Sequence, residues 1–525
     1  ARKNRDQRRA EGQPDQGMSK SRSVAVAGAL CVIGVSQAAH ATDVQDFPDI
    51  GTEPLGRGGA WVARATNPLA TLQNPAGLAG QKSGVLANVH LVFNKVCFLR
   101  QGAGQKLALP PDGIDYPEVC NENKGSPTPL PAVAGVYRAS DRLGIGLSVA
   151  PPNMYGLLRF PETIEIENSF GVTQSVPSPQ RYMLLEQDGL ALNTTLGAGF
   201  EPAKGLRVGA GFVWGFAKYR LANANMSLSP TAQPDGSFRD PVTADVRAEL
   251  KVADWFIPGA TFGILYSPAS NFDVGLNVIM QDAFDAQGDL SMKANYWTNN
   301  GTSDSPDLSD SGEIQKGLGR FRVPNPLEAR IGARFHLPRK PGKPQSGVRD
   351  PLVDDVFDLE LDVSYTRNSA YERAELRFPE SPAVPVKGTP GSVPQNNDID
   401  FKVKRDSVGV RVGGDYVVLP SQLSARAGGF WEPNVQNDEY ANVSFLASQR
   451  IGVALGATYR LSMIDIEAAY MHVFVSEIDN GNSGKLLVVS GDASASPPFR
   501  SPYAINSGRF RQSVNGVSLG ATARF

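Results

Sequence analysis

"LGRGGAWVARATNPLATLQNPAGLAG", residues 55–80, stands just ahead of the part of the chain where apolar and polar residues begin to alternate. The stretch is rich in Gly and Ala, nearly uncharged, and broken by Pro68 and Pro75. It lacks the roughly 20 unbroken apolar residues that a membrane helix needs, and its glycines disfavour a regular amphipathic helix. The stretch therefore predicts a turn-rich segment of small side chains placed before the first strand.

From residue 83 onward the dominant pattern is alternation with period two, which is the signal of a β-strand. In "FDLELDVSY", residues 357–365, the aromatic and aliphatic side chains share one face, and Asp358, Glu360 and Asp362 share the other. Fourteen such strands are predicted, over residues 83–96, 129–138, 143–156, 184–200, 206–222, 247–266, 272–296, 321–337, 357–372, 405–418, 423–433, 443–459, 463–477 and 508–525.

The connections between these strands alternate between short turns and long polar loops, apart from one long turn at 338–356. An even number of strands, with short turns at one end and long loops at the other, is typical of bacterial outer-membrane barrels. The sequence therefore predicts an all-β fold: a 14-stranded antiparallel transmembrane β-barrel over residues 83–525. The chain ends on Phe525 in an alternating strand, and this strand must pair with the first strand to remove both edges.

The polar faces of the strands distinguish a barrel from a soluble multi-sheet sandwich. They carry charges of both signs in equal number, which can pair with one another inside a closed lumen, while the opposite faces are as apolar as lipid requires. The charged residues expected to face inward are Arg207, Arg330, Arg334, Arg411, Arg426, Arg460, Glu328, Glu360, Asp362, Asp415, Asp465 and Glu467.

The N-terminus indicates export. Residues 18–41 form a predicted signal peptide, with Lys20 and Arg22 before an apolar run and a small-x-small site ending at Ala41. Residues 1–17 precede it and are interpreted as a start assigned too early or a disordered extension. Removing residues 1–41 takes away 7 basic and 3 acidic residues and leaves a net charge near −6, which argues against nucleic-acid binding. The expected location is the outer membrane of a Gram-negative bacterium, with both termini periplasmic.

Two cysteines remain after residue 41, Cys97 and Cys120, and in an exported chain such a pair predicts a disulfide. The histidines after residue 41 are His90, His336 and His472; the alternation places the first two on the strand faces expected to point into the lumen. No nucleophile with a neighbouring base, no metal site and no cofactor site is predicted from the sequence.

The stretch quoted above resembles the hatch of the FadL/TodX family, outer-membrane transporters of long-chain fatty acids and aromatic hydrocarbons. The resemblance rests on Gly58-Gly59-Ala60 and on Asn74-Pro75-Ala76 just before the first strand. It implies that residues 42–82 form an N-terminal hatch, a plug inside the barrel lumen, held at Asn74-Pro75-Ala76. The alternative is a periplasmic tail or a partner-binding arm.

The same family has a kink in its third strand that opens a side passage through the barrel wall. In this chain Ala150, Pro151 and Pro152 fall at the corresponding place, and two prolines should interrupt strand pairing. The alternative is that the third strand simply ends at Ala150.

The resemblance implies gated uptake of hydrophobic compounds such as long-chain fatty acids, with lateral exit through the barrel wall. The expected partners are a hydrophobic ligand, outer-membrane lipid, lipopolysaccharide and the barrel-assembly machinery. A general diffusion porin is the first rival, although porins favour open channels of sixteen to eighteen strands. An outer-membrane barrel enzyme is the second.

Overall fold

A computed structural model describes residues 49–102, 115–122, 127–152, 157–167, 171–226, 231–232, 234, 238–239, 245–293, 297–299, 306–308, 314–340, 347–370, 373–380, 397–400, 402–403, 405–487, 489–490 and 499–525. The predicted signal peptide, residues 18–41, and the extension before it lie outside the described residues. No helix among the residues described is long and apolar enough to span a membrane.

The chain forms a closed barrel of fourteen antiparallel strands, which confirms the predicted fold class. Strands β1 to β7 are Gly84–Arg100, Thr128–Arg138, Leu143–Ala150 (resumed at Leu158–Arg159), Glu186–Ala203, Leu206–Met226, Asp245–Ala269, and Phe272–Gln281 with Phe284–Lys293. Strands β8 to β14 are Ile314–Val323 with Glu328–Pro338, Asp355–Thr366 with Arg373–Glu380, Asn397–Asp400 with Ser407–Leu419, Leu423–Glu432, Arg450–Leu461, Ile464–Val475 with Ile478–Asp479, and Gly508–Arg524.

Closure is made by β1 and β14, which pair without a register shift from Gly84 opposite Arg524 to Arg100 opposite Gly508. On its other side β1 pairs with β2. Every strand of the barrel therefore has two neighbouring strands, and the sheet closes on itself.

Short helices and short strands accompany the fourteen strands of the barrel. Among the described residues, three short helices precede β1: α1 (Thr52–Gly56), α2 (Ala70–Gln73) and a 3-10 helix (Pro75–Gly80). Between β8 and β9 lies α3 (Pro351–Asp354). Other short elements in the described part of the chain are the 3-10 helices Asn368–Ala370 and Asp438–Tyr440, the strand Val119–Cys120 paired with β1, and the two-stranded pieces Thr163–Glu167 with Thr173–Pro177, Thr231–Ala232 with Phe238–Arg239, Trp297–Asn299 with Pro306–Leu308, and Val489–Ser490 with Phe499–Arg500.

The predicted disulfide is present. Cys97 near the end of β1 and Cys120 in the paired strand Val119–Cys120 lie opposite each other, and their sulfur atoms are bonded at 2.04 Å. The link ties the first long loop back to the barrel wall.

The outer face of the barrel is apolar and carries aromatic side chains towards both ends, as lipid requires. Near the short turns the exposed aromatics include Tyr137, Phe200, Tyr266, Tyr416 and Tyr459; towards the long loops they include Trp214, Trp255, Phe256, Tyr470 and Phe474. The inward face holds the buried polar residues, including the predicted Arg207, Arg334, Arg411, Arg426, Glu360, Asp362, Asp415, Asp465 and Glu467.

Some predicted strand limits were wrong, and local chemistry explains why. The strand predicted over 443–459 begins at Arg450, because the carbonyl of Ala447 accepts hydrogen bonds from the backbones of Val435 and Gln436 and folds this stretch onto the preceding loop. The strand predicted over 321–337 begins earlier, at Ile314, and is interrupted over residues 324–327. The third strand, predicted to reach residue 156, ends at Ala150.

The lipid-facing surface gives the first testable prediction. Leu361 lies near the middle of β9 and is 48% exposed, whereas Leu419 is the last residue of β10 and is 47% exposed. Leu361→Arg should lower the free energy of unfolding by about 2–4 kcal/mol, and the matched control Leu419→Arg by about 0–1 kcal/mol, because the cost of a charge depends on membrane depth. Denaturant unfolding in lipid vesicles measures both, and equal effects would contradict this placement in the membrane.

Candidate functional site

Residues 49–82, called the N-terminal segment below, form an almost continuously buried stretch that ends at Gln81. Every residue from Asp49 to Gln81 is buried except Gln73, which is half-buried. The segment has no regular period; it is a chain of turns and the three short helices that precede β1. It therefore takes its shape from what surrounds it rather than from its own hydrogen-bonding pattern.

The surroundings of the N-terminal segment are the inward faces of strands from opposite sides of the barrel. The hydroxyl of Thr52 lies 2.7 Å from that of Ser518 in β14, and the backbone N–H of Gly51 donates to His90 in β1 at 2.9 Å. On β6, Thr261 donates to the carbonyl of Leu72 at 3.1 Å. The segment thus lies across the lumen.

The Gly-Gly step of the segment is required by its backbone and by its neighbours. Gly58 and Gly59 have φ of 64° and 83°, in the left-handed region that favours glycine. A methyl group on Gly58 would collide with the backbone of Gly429 in β11, and one on Gly59 with the carboxylate of Asp49.

Two arginines of the segment meet a row of wall carboxylates. Arg57 donates to Asp358 at 2.7 Å, to Asp415 at 2.6 Å and to Glu360 at 3.1 Å. Arg64 contacts Asp358 as well and donates to Asp415 at 3.2 Å. All these side chains are buried, so each charge depends on its partners for the stabilisation that water would otherwise give.

The wall carboxylates also bind the backbone of the segment. Asp362 accepts hydrogen bonds from the N–H groups of Trp61 at 2.8 Å and Val62 at 3.1 Å, and Glu360 accepts one from Ala63 at 2.7 Å. Consecutive inward positions of β9 therefore hold one turn of the segment by main chain and side chain together.

The acidic residues of the segment are kept ionised by arginines. Burial raises the pKa of Glu53, but Arg64, at 2.6 Å, and Arg426 outweigh burial and lower that pKa to about 2. Burial acts the same way on Asp49, and its pKa is nevertheless lowered by arginines of the wall, among them Arg330 at 2.8 Å. The segment is therefore held by charged pairs at both of its acidic positions.

Asn74 joins the segment to the wall. Its side-chain amide donates to the carbonyl of Val62 at 2.8 Å and to that of Ile264 in β6 at 3.4 Å. Its oxygen accepts from the N–H of Ala76 at 3.3 Å and caps the 3-10 helix that Pro75 begins. Sequence residues 74–76 thus fix the last turn before the chain enters β1.

Beside the N-terminal segment lies a cavity of about 150 Å³. The segment contributes Asp49, Ile50, Leu72 and Gln73 to its lining. The wall contributes residues of β4 to β8 and the loop after β3: Pro151, Pro152, Ala191, Asn193, Phe216, Ala217, Tyr219, Ile257, Asn277, Ile279, Gln281, Phe284, Asn325, Pro326, Glu328 and Arg330. Its surface is more apolar than polar, and its lining also includes amides and the charged side chains of Asp49, Glu328 and Arg330; a combination of apolar surface with a few polar groups is common in small-molecule sites.

The two prolines after β3 mark a gap in strand pairing. The ladder between β3 and β4 ends at Ala150 opposite Asn193 and resumes at Leu158 opposite Gln187. Among the described residues, 188–192 of β4 have no partner on this side, while residues 153–156 lie outside the description. Pro151 and Pro152 therefore stand where the cavity meets the gap.

The sequence singled out the segment and the prolines, but it missed part of the site. Asp358 was assigned to the inward face without a role, yet it contacts Arg57, Arg64 and Arg334. Pro326 in the cavity wall was missed as well; a proline inside a predicted strand is the signal that could have found it.

No protein-family model matches the chain. A protein of Neisseria meningitidis serogroup B, provisionally named an outer membrane protein, is 23% identical over 475 residues, which cover 89% of this chain and 91% of that protein.

Solved structures share the architecture. A FadL homologue of Pseudomonas aeruginosa aligns with a TM-score of 0.62 and 17% identity, over 93% of this chain and 100% of its own. The chain has the fold of the FadL-type channels. The toluene transporters TbuX of Ralstonia pickettii and TodX of P. putida align with TM-scores of 0.57 and 0.56, at 14% and 12% identity, each over 92% of this chain and 99% of its own.

The carboxylate cluster gives the second prediction. Arg57→Met removes a partner from Asp358 and Asp415 and should lower the free energy of unfolding by about 3–5 kcal/mol, because it leaves buried charges uncompensated. Protease should then cut between Trp61 and Gln73, which intact protein should resist. The matched control is Arg511→Met, which breaks an exposed pair with Glu118 and should change neither the unfolding midpoint nor the cutting. Protection that survives Arg57→Met would contradict the assigned importance of the cluster.

Proposed function

We propose that this protein is an outer-membrane channel for the uptake of hydrophobic compounds in a Gram-negative bacterium. The observation that carries the proposal is a closed barrel of FadL-type fold whose lumen holds a buried segment beside a cavity that is more apolar than polar. The solved structures of similar fold include proteins named as toluene transporters and a monoaromatic hydrocarbon channel. Long-chain fatty acids and aromatic hydrocarbons are the two substrate classes to test.

The N-terminal segment acts in this proposal as the hatch. Its burial, its charged pairs with the wall and the cap made by Asn74 support this role, because they hold the segment against the inward face of the barrel. A hatch held by side chains can shift when some of those contacts are replaced by a ligand. Residues 42–48, the expected start of the hatch, lie outside the described residues.

The gap after Ala150 serves as the lateral exit. A ligand in the cavity touches Pro151 and Pro152, and from there the unpaired stretch of β4 leads to the outer surface. Each methylene kept out of water is worth about 0.8 kcal/mol, so a sideways path into lipid avoids the cost of releasing the ligand into the periplasm. Transport is downhill and needs no cofactor.

The outer end of the route is an apolar cluster under the long loops. It contains Phe98, Phe160, Tyr182, Met183 and Phe510, all buried, among other residues. This proposal places both termini and the short turns in the periplasm, so the cluster faces outward beside the lipopolysaccharide. Insertion would then follow the barrel-assembly route.

The porin and the enzyme are weaker candidates. A general diffusion porin needs an open aqueous channel, and the N-terminal segment occupies the lumen of this barrel. For an enzyme, the two inward histidines lack a nucleophile beside them: among the described contacts, His90 accepts from Gly51 and His336 contacts Asp355 and Asp273.

The hatch role gives the third prediction. Deleting Glu53–Gly80 should leave the barrel folded, since closure depends on β1 and β14, and should raise single-channel conductance in planar bilayers from small and erratic to large and steady. Heat-modifiable migration in gels checks the folding. Equal conductance before and after deletion would place the segment away from the ion path, and large steady conductance of the intact protein would favour the porin.

The lateral exit gives the fourth prediction. Pro151→Thr with Pro152→Thr restores two backbone donors and lets β3 extend along β4, which should narrow the gap and reduce uptake of oleate or toluene several-fold in cells that depend on this protein. The control is Pro131→Thr, within the continuous ladder between β1 and β2, which should leave uptake unchanged. Unchanged uptake in the double variant would exclude exit through this gap.

A further inference from the structure

The ladder between β6 and β7 is interrupted between Val252 opposite Gly288 and Gly259 opposite Gln281, and the ladder between β7 and β8 is interrupted beside it. One half of the β7–β8 ladder ends at Ile279 opposite Glu328, and the other begins at Phe284 opposite Val323. Residues 280–283 and 324–327 between them form no ladder pair with one another, in strands that the structure describes throughout, although Met280 and Gln281 still pair with Ala260 and Gly259 of β6. These eight residues are called the β7–β8 window below.

The sequence explains why the window stays open. Pro324 and Pro326 have no N–H to donate, so two residues on the β8 side of the window cannot donate hydrogen bonds to a ladder. On the β7 edge, Asp282 uses its N–H for the carbonyl of Pro258 in β6 at 2.8 Å. The amide side chain of Asn325 donates across the window to the carbonyl of Asp282 at 2.5 Å. A hydrogen bond made by a side chain can break while the backbone pairing of the strands stays intact.

The cavity beside the N-terminal segment reaches both edges of the window. Gln281 and Phe284 line it from β7, and Asn325, Pro326 and Glu328 from β8. The window therefore opens onto the same space as the gap after Ala150, from the other side. Both openings also lie close to one row of paired residues, which runs from Ala150 through Asn193 and Gly215 to Ile257.

The outer surroundings of the window are those of a membrane boundary. Trp255 and Phe256, in the bulge of β6 beside it, are 68% and 59% exposed. Immediately beyond, Arg320 pairs with Asp285 at 2.5 Å on the outer surface. Large aromatics followed by exposed charges mark the level where hydrocarbon gives way to head groups.

We propose that the β7–β8 window is a second passage through the wall, an entrance for ligand already dissolved in the outer part of the membrane. This inference rests on the proposed function and deepens it. The ligand is an apolar molecule or a single-chain amphiphile: its chain would lie against Ile50, Ile257 and Phe284, and a polar end would meet Asn325 and Glu328. Such molecules partition into lipid, the more strongly the longer their apolar chain, so an entrance at this level meets them where they are most abundant.

A thiol placed at the window tests the passage. Cys97 and Cys120 are oxidised and Cys31 lies in the predicted signal peptide, so Asn325→Cys can be labelled with a bulky maleimide after folding. Labelling should reduce uptake several-fold for whichever of oleate and toluene the unmodified protein takes up. The control is Lys251→Cys, whose side chain is 52% exposed on the outside of β6; its labelling should leave uptake unchanged.

A second variant closes the window without a label. Pro324→Thr with Pro326→Thr restores two backbone N–H donors and should let β8 pair with β7 across the window. Uptake should then fall several-fold, as with the label. The control Pro338→Thr, at the short-turn end of β8, should leave uptake unchanged. Full uptake by labelled Asn325→Cys and by the closed variant would overturn the second passage. Absence of uptake of both probes by the unmodified protein would instead overturn the proposed function, so the two failures are distinguishable.

Discussion

The rest of this structure depends on one constraint: hydrocarbon offers no water to satisfy a backbone N–H or C=O. A strand in that environment must be paired on both sides, and the seventeen-residue ladder between Gly84–Arg100 and Gly508–Arg524 closes the ring that makes this possible. An interruption of the ladder is tolerable only where something else takes over. At Ala150 and at Pro324 the ladder stops beside proline, which has no donor to satisfy, and beside an internal cavity.

The lumen follows a second rule, that of compensated charge. Arg57 and Arg64 bring positive charge to Asp358 and Asp415, which otherwise would face each other across β9 and β10 at low dielectric. Removing one member of a buried cluster leaves the others uncompensated, and that costs more than the whole cluster contributes. The N-terminal segment and the wall therefore stabilise each other. If a ligand displaces the segment, the wall carboxylates need new hydrogen-bond partners, either polar atoms of the ligand or water.

Much of the fold could be predicted from the sequence because apolar and polar residues alternate along each strand. The strand count, the inward parity of Glu360 and Asp362, and the pairing of the two cysteines all follow from alternation and export. The position of the segment in front of β1 also followed from its composition, together with its resemblance to a known hatch. These are local signals, each contained in a few neighbouring residues.

The parts of the site that could not be predicted are those that depend on distant partners. Nothing near Arg57 indicates that it meets Asp358, 301 residues further on. The cavity is enclosed by six separate parts of the wall, and its existence depends on how far the segment reaches. The interruption at 324–327 is an intermediate case: Pro324 and Pro326 were visible, but the apolar pattern on both sides favoured a continuous strand.

The contact between Thr52 and Ser518 joins residues 466 apart, the first helix of the segment and the last strand of the barrel. This contact requires both ends of the chain to be in place, so it forms only after β14 has joined the wall. Contacts between residues so far apart in sequence form slowly, because a long stretch of chain must first close into a loop. The two ends of the chain therefore share a contact that belongs to the late part of folding.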